Sequence, residues 1–201
     1  MANYEVIADV SATLRATLKV AMESSVTSAG DPDLSLSDVA VEFLDVDLPP
    51  STKMLTLFLF EVGEDPTARN HARVRETDPP DFKIRKPPMA LLLRYLLTPW
   101  GGDQPTQQKI LGRTLQALYD KPVFSGIDLQ GVLQNTDEML KVTLSPLSLE
   151  DRTRVWHSVQ KPYRLSVAYE VRVVNLDATE AVSVTPVTRR TADMEGLEGG
   201  G

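Results

Sequence analysis

Residues 87–100 read PPMALLLRYLLTPW, and the reading of this stretch decides the fold. Extended backbone turns successive side chains to opposite faces. Met89, Leu91, Leu93, Tyr95 and Leu97 then share one face, with Ala90, Leu92 and Leu96 on the other. A strand apolar on both faces belongs inside a sheet that is covered on both sides. Its one charge, Arg94, must lie toward an edge or meet a partner, because a lone buried guanidinium is costly. Pro87–Pro88 marks the chain's entry into the strand, and Trp100 stands at its exit beside Gly101–Gly102.

Working outward, KMLTLFLFEV at 53–62 repeats the pattern. Leu55, Leu57 and Leu59 face one way and Met54, Phe58 and Phe60 the other, as in a second central strand. Shorter alternating runs predict strands at 39–43, 139–145 and 180–187. YRLSVAYEVRVV predicts a long strand over 163–174 with one wet face.

Helical spacing appears at 4–22, through Ile7, Val10, Leu14, Leu18, Ala21 and Met22, with Asn3 as the expected N-cap. It returns at 105–119, through Ile110, Leu111, Leu115 and Leu118, with Pro105 in the first turn. Ser148 and Asp151 have the spacing of an N-cap pair opening a short third helix. The expected architecture is one α+β domain over 1–187. It has a mixed, mostly antiparallel sheet of five to six strands with two to three packed helices. Residues 63–88 carry five prolines and no periodicity, so an irregular loop is expected there, of a length that is usually functional. Residues 188–201 are expected to form a flexible tail.

Composition excludes several function classes. The 201 residues carry 21 basic and 28 acidic side chains, net −7, which disfavours nucleic acid and anionic membranes as partners. There is no cysteine, hence no disulfide, thiolate nucleophile or Cys-ligated metal. The first residues lack the basic start of a secretory leader, and the longest apolar run, Met89–Leu93, is far short of a membrane span. His71 and His157 lack companions at ligand spacing. DPDLSLSDVAVE at 31–42 has carboxylates in step like a calcium loop, but Leu36 stands where that loop turns on glycine. No G-x-S-x-G, Walker or G-x-G-x-x-G motif occurs, so no catalytic, cofactor or metal residue is assigned.

The candidates that remain are contact residues. Arg69, Arg73 and Arg75 either bind an acidic partner or belong to an ordinary solvated charge cluster. Phe82 and Ile84, isolated apolar side chains in DFKIRK, either pin the loop to the domain or anchor another subunit. Trp100 either caps its own core or meets a neighbour. A C-terminal hairpin, with Arg189 and Arg190 beyond it, offers an open strand edge.

The succession YEVIADVSATLRATL, LFLFEVGEDPTARN, PPMALLLRYLLTPW, ILGRTLQALYDKPVFSG and VTLSPLSLEDRTRVWHSVQKPYRLSVAYEVRVV resembles one family. That family is the cap, or tail-terminator, proteins of extracellular contractile injection systems, phage-tail-like particles of the virulence-cassette and antifeeding-prophage type. The likeness spans about residues 3–175, and RYLLTPW with the SPLSLED…W…PYRLSVAYEVRVV series are its most specific parts. It implies a phage tail-terminator-like fold and a structural protein without cofactor or catalytic residue. It further implies a six-fold ring of copies on the baseplate-distal end, closing inner tube and sheath. Such a protein is made in the bacterial cytoplasm and ends up in a particle that stays there, is tethered to a membrane or is released. The alternatives are an adaptor between a separate terminator and the sheath, or, from another class, a small-molecule-binding domain or enzyme.

Overall fold

The computed structural model describes residues 4–24, 36–44, 52–68, 74–78, 81–134, 136–178 and 181–184. The chain divides into two compact units: Met1–Asn70 with Pro88–Asp177, and His71–Pro87 with Ala178–Gly201.

The first unit holds three helices, α1 (Val6–Glu23), α2 (Gln104–Asp120) and α3 (Leu149–Ser158), and a six-stranded sheet. Its strands are β1 (Ala40–Phe43), β2 (Met54–Glu64), β5 (Met89–Trp100), β6 (Val123–Ser125), β7 (Met139–Leu144) and β8 (Val167–Leu176). They lie in the order β1-β2-β5-β8-β7-β6, with β1 parallel to β2 and every other pair antiparallel. The stretch 87–100 is therefore central, flanked by the longest strands.

Both of its faces are covered, as expected. On one face Leu91, Leu93, Tyr95 and Leu97 pack with Leu55 and Leu57 of β2, Val10, Leu14 and Leu18 of α1, and Ile110 and Leu118 of α2. Tyr95 is buried there, its hydroxyl 2.8 Å from Ser11 Oγ, and burial pushes the phenol up to about 12. On the other face Leu96 joins Trp156 of α3 and Ala168 of β8, with Phe58, Phe60 and Trp100 packed around them.

Arg94 finds partners rather than an edge. Its Nη1 lies 2.8 Å from Glu61 Oε2 on β2 and its Nε 3.8 Å from Glu170 Oε2 on β8. Arg172 extends the row, donating to Glu170 Oε1 at 2.8 Å and standing 3.7 Å from the buried Asp65 carboxylate. The row requires a β-bulge. Leu59 pairs with Tyr95 and Glu61 with Arg94, so Phe60 is the extra residue, and Phe60 and Glu61 come to the same face. Strict alternation would have placed Glu61 on the opposite face.

α2 begins at an Asp103 cap, whose Oδ1 accepts from Thr106 N at 2.9 Å. The Ser148–Asp151 pair caps α3 as expected, with Asp151 N donating to Ser148 Oγ at 3.1 Å. α1 differs: its N-cap is Glu5, which makes no side-chain cap bond, and Asn3 lies outside the described residues.

Three other expectations are corrected. The stretch 63–88 contains regular structure: β2 runs to Glu64, and β3 (Val74–Asp78) pairs with β4 (Asp81–Arg85). The last strand, β9 (Ala181–Val184), forms no hairpin with β8 but pairs with β4, making the three-stranded sheet of the second unit. β8 already has β5 and β7 on its two sides, so no edge was left for β9. Finally, β8 starts at Val167, not at residue 163. Tyr163 and Leu165 lie exposed in the non-strand segment that follows Gln160, whose φ is 55°.

Candidate docking surfaces

The first surface is built where β5 ends. Trp100 donates its indole N–H to Thr56 Oγ1 at 2.6 Å and meets Trp156 edge to face, with centroids 6.0 Å apart. The ring thus helps cap the domain's own core. Over the ring lie two cations, the Arg164 guanidinium at 4.4 Å and Lys161 Nζ at 5.6 Å from the centroid. Among the described residues no carboxylate pairs with Arg164. Pro162, Tyr163, Arg164 and Leu165 line a cavity of about 300 Å³ together with Gln104, Gln107 and Gln108 of α2. A shelf results that is basic, aromatic and half-apolar.

Two left-handed glycines hold this corner. Gly101 (φ 68°) and Gly102 (φ 65°) reverse the chain between β5 and the α2 cap, and Gln107 Nε2 donates to Gly101 O at 3.3 Å. Hydrogen bonds from the Thr106 side chain and main chain hold the Asp103 carboxyl below its usual range.

The second surface is an apolar groove of about 480 Å³ between α2 and β7, lined by Leu115, Leu118, Tyr119, Pro122, Val142 and Leu144 among others. Tyr119 and Leu144 are exposed. β6 pairs only with residues 139–141 of β7, and Val142 N–H donates to Pro122 O at 2.8 Å. In an antiparallel ladder alternate residues aim their main-chain groups the same way. Leu144 therefore points its N–H and C=O outward beyond β6. The opposite edge of the sheet is guarded: Arg15 Nε donates to Val41 O at 3.1 Å, its Nη2 pairs with Glu42 at 3.3 Å, and its guanidinium lies over Phe43.

The third surface is the far end of β8. Asp177 follows its last residue, and Asn175 Nδ2 donates to Glu138 Oε2 at 3.0 Å. Burial pushes the Glu138 carboxyl up, the Asn175 hydrogen bond opposes this, and the Asp177 charge adds to the rise. Asp137 and Met139 lie exposed beside them, and exposed Met89 pairs with Leu176.

Of the contact residues expected from sequence, Trp100 stands on the first surface. Arg75, Phe82 and Ile84 fall in the second unit, Arg75 opposite Ile84 on β3 and β4, and Phe82 opposite Val184 of β9. Ile84 is half-buried. Arg69, Arg73, Arg189 and Arg190 lie outside the described residues. The groove was missed. Its one signal is Tyr119, an aromatic off the apolar stripe of α2, while Leu144 continues the alternation of β7 and reads as core. Among the described residues no cluster of His, Asp or Glu could hold a metal ion, and no helix is long and apolar enough to cross a membrane.

A family model, the Pvc16 N-terminal domain, matches residues 9–190. The chain belongs to this family. Its fold agrees with two solved structures. One, the sheath/tube terminator of an extracellular contractile injection system (PVC) in the extended state, shows 23% identity and a TM-score of 0.63. It aligns over 96% of this chain and 64% of its own. The other, the tube-terminating cap of the anti-feeding prophage, shows 19% identity and a TM-score of 0.59, over 96% of this chain and 62% of its own. This Pvc16 family chain thus spans a little under two thirds of the length of either structure. No curated protein matches it. The α+β fold expected from the pattern of elements is borne out, and so is the resemblance to the terminator proteins of contractile injection systems.

Proposed function

We propose that this chain is a structural cap at the baseplate-distal end of a contractile phage-tail-like injection particle, where it terminates inner tube and sheath. The observation that carries the reading is the family match over residues 9–190, joined to a terminator fold over 96% of the chain. In the proposed state the copies form a closed six-fold ring against the last layer of tube and sheath. The work is docking, with no bond made or broken by the chain's own side chains. The protein is made in the bacterial cytoplasm and leaves it, or stays, as part of the particle.

The surfaces suit that role. A ring of one kind of subunit needs two different patches per copy, and shelf, groove and corner differ in charge and polarity. Among the described residues no strand pairs beyond β6, while Arg15 guards the opposite edge, which is what a terminal layer requires: one place to pair and none to continue. Contact residues of the second unit, Arg75, Phe82 and Ile84, and the segment bearing Arg189 and Arg190 remain candidates for contact with tube or sheath.

A strain lacking the gene is expected to produce over-long, uncapped or unstable sheaths and tubes, seen by electron microscopy of purified particles. Particles of unchanged length with a closed distal end would refute the cap.

A further inference from the structure

The basic shelf and the acidic corner lie at opposite ends of one strand. Lys161, Tyr163, Arg164 and Leu165 precede β8, and Asp177 follows it. Ten residues of strand separate them, about 33 Å at the usual rise per residue. The two patches match in chemistry. The shelf offers two cations around an indole face, with Tyr163 and Leu165 exposed beside them. The corner offers Asp137, Glu138 and Asp177, with Met139 and Met89 exposed beside them. Apolar groups thus stand next to complementary charge on both, as in interfaces where a rim of charge surrounds an apolar anchor.

We propose that the shelf of one copy takes the acidic corner of the next copy, forming the head-to-tail contact that joins subunits of the ring. This rests on the ring reading above. The occupant is a second copy because the complementary patch is present on the same chain, too far along the strand for the two to meet within one molecule. A contact between two different patches is heterologous, and repeated with a closing rotation it makes a ring. Arg164 moves in the contact from stacking alone to stacking plus a carboxylate partner, a geometry its planar guanidinium favours.

The chain's lack of cysteine gives a clean test. A full-length Leu165→Cys, Met139→Cys double variant, oxidised at micromolar concentration, is expected to give a ladder of covalent multimers. A mixture of the two single variants should stop at dimers. Pairing Met139→Cys with Val20→Cys, on the exposed side of α1, sets the background for random collision. Adding Arg164→Glu to the double variant should cut cross-linking about tenfold or more, the effect of inverting one close charge pair. Adding Glu138→Lys as well should restore it. Cross-linking no faster than the Val20 background, or unmoved by Arg164→Glu, overturns the proposed contact. That failure is distinct from failure of the capping reading, which shows in particle length.

Discussion

Trp156→Ala is expected to lower folding stability by about 3–5 kcal/mol, the cost of deleting a fully buried large aromatic. Trp156 is 1% exposed and is the one buried residue that α3 contributes. α3 has ten residues, too short to hold itself together in water, so its order depends on this cluster. The small core around it, Leu96 and Ala168 with Phe58, Phe60 and Trp100 at the rim, would lose its largest buried side chain. The deletion also removes the indole N–H donated to Ser166 Oγ at 3.3 Å. Urea unfolding followed by fluorescence measures the effect directly, since Trp100 remains as the sole reporter. Trp156→Phe, which keeps a ring, should lose clearly less. A loss under about 1 kcal/mol for the alanine variant would mean that α3 does not close this face of the sheet.

Gly101→Ala is the second large effect, at about 2–4 kcal/mol. Two causes add. With φ at 68°, a side chain brings the Cβ too near the following carbonyl, as in any left-handed residue. In addition, the new Cβ would lie 2.3 Å from Thr52 O and 2.7 Å from Thr52 C, which are main-chain atoms just before β2. Neither can swing aside, so the β5 exit must move and take Trp100 and the α2 cap with it. Gly126 separates the two causes: its φ is 56°, yet none of the described residues lies within 4 Å of its Cβ position. Gly126→Ala should therefore cost only the left-handed strain, about 1–2 kcal/mol. Equal losses in thermal or urea unfolding would show that the Thr52 contact relaxes freely.

Much of the fold was legible because its central strands carry unusually plain patterns. Alternation over 53–62 and 89–97 assigned both faces of β2 and β5, and the 3.6-residue spacing placed α1 and α2 to within two residues. The cost of burying Arg94 alone announced either an edge or a partner, without saying which. Glu61 reaches it only through the bulge at Phe60, and a bulge leaves no mark in an alternating run.

The features that stayed hidden have equally local causes. β3 and β4 read VRETD and DFKIR, five residues each, too polar and too close to paired prolines to stand out from a charged loop. Tyr163 and Leu165 fit the alternation of β8 but lie before it, because that chain segment passes along α2 and the Trp100 ring instead of pairing. The groove between α2 and β7 depends on where β6 starts relative to β7, a register that no single segment encodes. Trp100 seals the core of its own domain, one of the two roles its position allowed, and its ring also carries the cations of the shelf.

The most direct measurement is the location of this chain on intact particles. Single-particle cryo-electron microscopy of the particle's two ends, with a small epitope tag fused to this chain and labelled, should place density at the baseplate-distal end only, closing tube and sheath as a single ring. Label along the sheath, at the baseplate, or on no particle at all would contradict the cap.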